Sequence, residues 1–306
     1  MKLFVTGCNG FVGSHFVNKV KSKFDIYCAV RKYVDYIDLT RQFILDLESH
    51  QGWAEALEGS DIVVHMAAIV HTKYTNEKQL SDINTKSVIR FANEAVNAGV
   101  KRFVFVSSIG VNGMSTQAEP FSVDSTPSPH NYYAQSKYDA EMGLKKIAKE
   151  TGLEVVIVRP TLVYGSNAPG NFGMLTNLIK RLPVLPFGLA TNRRDFISVQ
   201  NLVDLLVTCV THPNAAGHTF LASDGETVSI KEFTNAIAKG IGKKVLQLPI
   251  PVTLMSLAGK LTGKSAMIEQ LYGNLEVDSS NIKEVLGWTP PFTMEQSMTF
   301  LKHTDK

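Results

Sequence analysis

Cysteine is scarce in this chain: Cys8, Cys28 and Cys209 are its three, and none stands at a C-x-x-C or Cys/His ligand spacing. That pattern encodes neither a zinc site nor a disulfide framework and fits a reducing, cytoplasmic compartment. An excess of charge of one sign is lacking too. The 31 lysines and arginines face 28 acidic residues, for a net charge of +3. The basic residues gather no further than adjacent pairs, such as Lys145–Lys146, Arg193–Arg194 and Lys243–Lys244, so no nucleic-acid partner is expected. Long apolar runs are also absent. The most apolar late stretch, 250–261, falls well short of the roughly 20 residues that a spanning helix needs. It is expected to form a buried or groove-lining helix, without membrane insertion. No leader segment is expected either, because glycine-rich sequence begins at Gly7.

What is present is an ordinary globular composition, 44% apolar and 19% charged, on 306 residues that can bury a sizeable core. Strands are predicted at 2–6, 25–30, 61–66, 102–107 and 153–159, and helices at 11–21, 80–97 and 132–150. The inner strands are continuous apolar runs, such as Phe103-Val104-Phe105-Val106 and Val155-Val156-Ile157-Val158. Runs of that kind suit a parallel sheet covered on both faces by crossover helices, an α/β doubly wound fold. After Tyr164 the rhythm changes, with Gly165, Pro169, Gly170, Gly173, Pro183, Pro186 and Gly188 punctuating the chain. A β-like run at 194–199, a helix from Asn201 and a strand at 218–222 are expected to return to the sheet. The remainder is expected to form a smaller α-rich lobe.

The first strand runs into Gly7-Cys8-Asn9-Gly10-Phe11-Val12-Gly13, a G-x-x-G-x-x-G segment opening a helix. Gly7 and Gly10 permit a tight turn and close backbone approach, and Gly13 lets the helix lie on the strand. A pyrophosphate would then meet free N–H groups and the positive end of the helix. At the end of the second strand an acidic residue would bind a ribose hydroxyl, whereas arginine suits a 2′-phosphate. Arg31 stands there, so NADP(H) is expected in preference to NAD(H). Asp46 and Leu47 are expected at the adenine edge. His65-Met66-Ala67-Ala68 ends a strand with small residues where backbone approaches the cofactor.

Tyr133-Ala134-Gln135-Ser136-Lys137 places a tyrosine and a lysine four residues apart, on one face of a helix. A free phenol, with a pKa of about 10, is a poor base at neutral pH. A nearby ammonium and an oxidised nicotinamide would favour the phenolate. Tyr132 lacks such a partner, because Ser136 lies four residues on. The strand ending Ser107-Ser108 lies about 25 residues earlier, and strand ends of open parallel sheets face the ligand crevice. Glycine loop, strand-end serine and Y-x-x-x-K thus occur in an order and at separations that chance does not readily produce together. No G-x-S-x-G elbow surrounds the serine, so it is not read as a nucleophile.

With these motifs the chain resembles the extended short-chain dehydrogenase/reductases, in their nucleotide-sugar epimerase/dehydratase branch. The likeness runs end to end through TGCNGFVG, HMAA, Asn84, FVSSIGVNG, YAQSK, VRPTLVYG, GNF, RRDFISVQNLVD and LGWTPPF. It implies a Rossmann domain over 1–165 with return segments near 194–222, and a mainly substrate-binding lobe over 166–306. It implies Ser108, Tyr133 and Lys137 as catalytic residues. Cofactor contacts are implied for Gly7, Asn9, Gly10, Phe11, Val12, Gly13, Arg31, Asp46, Leu47, Ala67, Ala68, Tyr133, Lys137 and Pro160. Asn171 and Arg194, with Ser108, are implied on the substrate, the first two at its diphosphate. The pattern looks closest to bacterial surface-polysaccharide enzymes that reduce UDP-4-keto-6-deoxy-N-acetylhexosamines, with a UDP-sugar 4-epimerase as the alternative.

Three departures stand out. Val111-Asn112-Gly113 replaces the usual Val-Tyr-Gly, and no second phosphate-binding arginine occurs between Gly263 and Asp278. Arg31 replaces the acidic residue of many sugar epimerases. The resemblance also implies a homodimer through the helices 80–97 and 132–150, with Phe91 on the shared face.

Overall fold

The computed structural model describes residues 1–306 except His50, 71–75, Thr262, Lys264 and 305–306. Its first six strands are β1 (Lys2–Thr6), β2 (Asp25–Val30), β3 (Gln42–Ile44), β4 (Ile62–His65), β5 (Arg102–Val106) and β6 (Glu154–Pro160). Short strands follow: β7 (Leu162–Tyr164), β8 (Val184–Leu185) and β9 (Arg194–Ser198). After them come β10 (Thr219–Ala222), β11 (Thr227–Val228) and β12 (Leu246–Gln247). The main sheet has the order β10-β6-β5-β4-β1-β2-β3, and every pairing in it is parallel. This is the doubly wound sheet that the apolar runs predict. Strand order reverses between β1 and β4, which opens a crevice at their carboxyl ends.

The early helices are α1 (Phe11–Val20), α2 (Trp53–Leu57), α3 (Glu77–Ser81), α4 (Ser87–Asn97) and α5 (Tyr132–Thr151). The later ones are α6 (Gly170–Arg181), α7 (Val199–Thr211), α8 (Ile230–Gly240), α9 (Val252–Leu261), α10 (Ser265–Tyr272), α11 (Ser280–Leu286) and α12 (Met294–Thr299). Alternation along β5 divides the core. Phe103 and Phe105 pack with Trp53, Phe91 and Leu144, while Val104 joins Phe16, Leu202 and Leu205 on the other face. A separate core built on Tyr164, Phe172, Phe196 and Phe233 holds the later lobe together. In it Phe196 and Phe233 stack with centroids 3.8 Å apart.

Four expectations are corrected. The helix predicted at 80–97 is interrupted by a π-helical turn over Asp82–Lys86, which turns Asn84 inward. The run at 194–199 does not reach the main sheet: β9 pairs with β7 and β11 in a sheet of three. Phe91 lies in the core, its ring 4.6 Å from that of Trp53, and Gly143 of α5 packs on Ile89 of α4. Phe91 is therefore covered within the chain and does not lie on an exposed face. Finally, α9 is not buried, because Leu254, Leu257 and Leu261 are 56%, 54% and 80% exposed. Among the described residues no helix is long and apolar enough to cross a membrane.

Candidate active site

The turn after β1 is shaped by close backbone contact. Gly7 has φ +74°, and a Cβ there would lie 2.6 Å from the Ala67 nitrogen. At Gly13 a Cβ would come within 2.0 Å of the Gly7 oxygen, so neither position admits a side chain. Gly10 begins α1 with no side chain capping the helix. The first-turn N–H groups are thus left for an anion, and the cradle fits a dinucleotide pyrophosphate.

Thr6 and His65 share a 2.8 Å hydrogen bond behind this turn. Burial, and next the charge of Lys137, push His65 down to about 3, so its ring is neutral. Its Nε2 has no hydrogen-bond partner. Rings of Phe103 and Phe105 stack on it, and among the described residues no group of ligands for a metal stands here or elsewhere.

Asn131 caps α5 by accepting from the Ala134 N–H at 2.8 Å, which sets Tyr133 in the first turn. Lys137 follows one turn on. Its Nζ donates to the Val106 oxygen at 2.8 Å and lies 4.6 Å above the Phe105 ring. Burial lowers Lys137 to about 7, opposed by Glu141, and burial raises Tyr133 to about 12. The expected phenolate is therefore not what the chain alone builds: desolvation outweighs the lysine, whose own charge is also disfavoured. Ser108 lies two residues beyond β5, at the cap of a 3-10 turn over Ile109–Val111, and accepts from the Gly110 N–H at 3.1 Å.

Behind these groups lies a buried network that sequence reasoning missed. Arg159 donates to both Glu141 oxygens, at 2.9 and 2.5 Å, and to Asn112 Oδ1 at 2.9 Å. Ser107 donates to Glu141 at 2.5 Å. Asn84 adds a second brace, donating to Ser136 at 3.2 Å and exchanging bonds with the Ile69 backbone. The departure at Asn112 is thereby explained: its amide ties Arg159 to the Ser122 carbonyl instead of presenting an aromatic ring to the cleft.

A cleft of about 890 Å³ joins these parts. Gly7, Gly10, Phe11, Val12, Gly13, Ala68, Ser108, Tyr133, Lys137, Pro160, Asn171 and Arg194 all line it. Asn9, Arg31, Asp46, Leu47 and Ala67 stand outside its lining, and Asp46 Oδ1 is engaged by the Glu48 N–H in a turn. His130 and Gln270 line the cleft without having been anticipated, and Asn171 donates to Gln270 at 3.2 Å. Gln270 stands in the segment where a second arginine was missed.

The two neighbouring arginines diverge. Arg193 is exposed and paired with Glu276 at 2.8 Å. Arg194 turns into the cleft and donates to the Gly273 oxygen at 2.9 Å, and burial lowers it to about 10. Among the described residues it has no carboxylate partner.

Residues 3–223 match the model of the NAD dependent epimerase/dehydratase family. The chain belongs to that family. As a member of it, the protein is an NAD(P)-dependent enzyme of the oxidoreductase/epimerase class that acts on nucleotide sugars. It is 40% identical, over 96% of its length and 92% of the relative's, to a UDP-glucose 4-epimerase of Vibrio cholerae. Its fold is shared by a short-chain dehydrogenase/reductase superfamily protein of Agrobacterium tumefaciens with bound NAD. That match has TM-score 0.79 and 18% identity, and covers 99% and 96% of the two chains. A UDP-glucuronic acid 4-epimerase of Bacillus cereus in complex with NAD matches over the whole of both chains, with TM-score 0.77 and 19% identity.

The NADP(H) expectation is corrected to NAD(H). Four of the solved structures with this fold hold NAD. The physical reason lies in Arg31, which is exposed and makes no hydrogen bond or ion pair among the described residues. A guanidinium held by nothing is not the fixed fork that selects a phosphate.

Proposed function

We propose that this protein is a UDP-hexose 4-epimerase that keeps NAD(H) through its cycle. Arg194 carries the reading. A cation lowered by burial, on the wall that Asn171 also lines, wants an anion, and the diphosphate of a nucleotide sugar is one that fits. The relative at 40% identity, a UDP-glucose 4-epimerase, supports the same assignment.

Bound NAD would supply the hydride acceptor and donor at C4 of the sugar, together with a positive ring charge. Tyr133 takes the C4 hydroxyl proton as the C4–H bond breaks, and returns it once the 4-keto sugar has presented its other face. Ser108 holds that oxygen throughout. Lys137 sets the field at the phenol, and its proton works against the burial that holds Tyr133 at about 12. No net oxidation results, so no external reductant is consumed. A 4-keto reductase would use the same residues, but that expectation leaned on the NADP(H) preference now corrected.

The test is to supply purified enzyme with UDP-glucose and UDP-N-acetylglucosamine, following product by NMR and nicotinamide by absorbance. Interconversion of the C4 epimers without net change in nicotinamide is expected. Stoichiometric loss of reduced cofactor on a 4-keto sugar, with no epimerisation, would overturn the reading.

A further inference from the structure

We infer that the face around the mouth of the cleft docks on an anionic phospholipid bilayer. This goes beyond the reaction proposed above and does not rest on it. Two sequence stretches build the face. Residues 166–194 and 233–272 hold nine lysines and arginines against a single acidic residue, Glu269, although the chain has 28 acidic residues in 306.

The fold sets these stretches side by side. Strands β8 and β12 pair, and the Leu248 N–H donates to the Leu185 oxygen at 2.8 Å. The Lys243 amine donates to the Lys180 carbonyl. Helix α9 follows β12 after a short link and packs on α10, with Gly259 against Ile268. Tyr272 then ties α10 back to the β8 segment through the Pro186 oxygen at 3.1 Å.

On this contiguous surface aliphatic side chains stand in solvent. Leu246 is 62% exposed, and Leu182, Leu189, Leu254, Leu257 and Leu261 are all exposed. Exposed apolar surface of this extent marks an interaction site. Arg181, Lys243, Lys244 and Lys260 stand exposed among them. Among the acidic groups nearby, Glu295 pairs with Lys239, Glu276 with Arg193 and Glu232 caps α8, while Glu269 of α10 stands exposed.

Aliphatic residues fringed by lysines that outnumber the carboxylates are what an interfacial helix presents to headgroups and the acyl boundary. The ten residues of α9 are far too few to span a bilayer, so the contact is peripheral. Met174 and Leu178 belong both to this exposed face and to the cleft lining. A docked molecule would therefore hold the cleft mouth at the membrane.

The test is flotation of the full chain with phosphatidylcholine vesicles, with and without phosphatidylglycerol. Binding is expected only to the vesicles with phosphatidylglycerol, weakening as salt screens the lysines. Leu254→Glu/Leu257→Glu should abolish it. Lys243→Gln/Lys244→Gln should weaken it by roughly fivefold for each charge removed. Far-ultraviolet dichroism and thermal midpoints should stay at wild-type values. Failure to bind the anionic vesicles, or binding that the substitutions leave unchanged, would overturn the inference. So would light scattering that shows a dimer made monomeric by the leucine pair, since a second copy would then own the face.

Discussion

On the sheet side of the cleft the ionisable groups are clamped. Lys137 is held by a backbone carbonyl, His65 by Thr6, and Glu141 by Arg159 and Ser107, all in packed surroundings. On the lobe side Arg194 rests on one carbonyl, and the wall around it is mainly aliphatic and continues into exposed surface. The first wall has its polar groups fixed before any ligand arrives, which is what moving a proton and a hydride requires. The second has a charge left to be answered, which is what holding an anion requires. The difference teaches where each kind of damage should appear: substitutions on the sheet side in turnover or stability, those on the lobe side in binding.

The sharpest separation is expected from Tyr133→Phe, which removes only the phenolic oxygen. Turnover should fall by about 10²–10⁴-fold with cofactor affinity unchanged. Stopped-flow or steady-state rates beside a cofactor titration check both halves. A variant that kept a large share of wild-type turnover would remove Tyr133 from the chemistry.

Glu141→Leu tests the clamp itself. It leaves the Arg159 guanidinium buried without its carboxylate, for which a loss of about 3–5 kcal/mol is expected in denaturant unfolding. A loss under about 1 kcal/mol would mean that water reaches the network and that the wall is softer than its hydrogen bonds suggest.

His65 gives the clamp a pH signature. Its folded value of about 3 lies below the ordinary 6.5, so as pH falls the unfolded chain takes up the proton first. Stability is full above the ordinary value and should drop by about 1.4 kcal/mol for each pH unit as acid is added below it, until the folded value is reached. Asp224, which burial raises to about 6, contributes with the opposite sign over part of that range. The measurement is therefore the difference between wild type and His65→Phe across pH, which should flatten where His65 no longer titrates. Parallel curves would contradict a neutral, buried imidazole.

How much of this could be read beforehand follows from locality. The strands were legible because each is a short apolar run buried on both faces. Ser108 and the glycine loop could be placed beside the cleft because they closely follow such runs, and Tyr133 because it opens a helix after Asn131. The clamp was not. Glu141 lies on a helix among Asp139, Lys145 and Lys146, where sequence alone suggests solvent, and its partners Ser107 and Arg159 are 34 and 18 residues away. Phe91 fitted an amphipathic stripe equally well inside or outside the chain, and the packing of Phe4, Trp53 and Phe103 around it decides. The exposure of α9 was hidden for the converse reason: an apolar decapeptide suggests burial, and nothing local reveals that no further layer covers it. Arg31 misled because residue type was read without its support.

The lobe wall is tested by Arg194→Met, which keeps length and removes charge. A charged hydrogen bond to an anion contributes about 1.5–3 kcal/mol, so KM for the nucleotide sugar should rise about ten- to a hundredfold, with kcat much less affected. A loss confined to kcat would place Arg194 on the chemical side and erase the contrast between the walls.

The smallest effect is expected at the other arginine. Arg31→Ala removes a side chain that is exposed, makes no hydrogen bond or ion pair among the described residues and lies outside the cleft lining. What remains is a screened attraction to the cofactor phosphates. Unit charges even 4 Å apart gain only about 1 kcal/mol in water, and salt reduces that further. NAD affinity measured by calorimetry should therefore change by less than about threefold, and epimerisation should be unaffected. The same titration with NADPH decides the comparison between a held and an unheld guanidinium. If Arg31→Ala cost NADPH tenfold or more, roughly 1.4 kcal/mol, Arg31 would be fixing a phosphate despite its exposure. Burial would then not be what separates Arg194 from it.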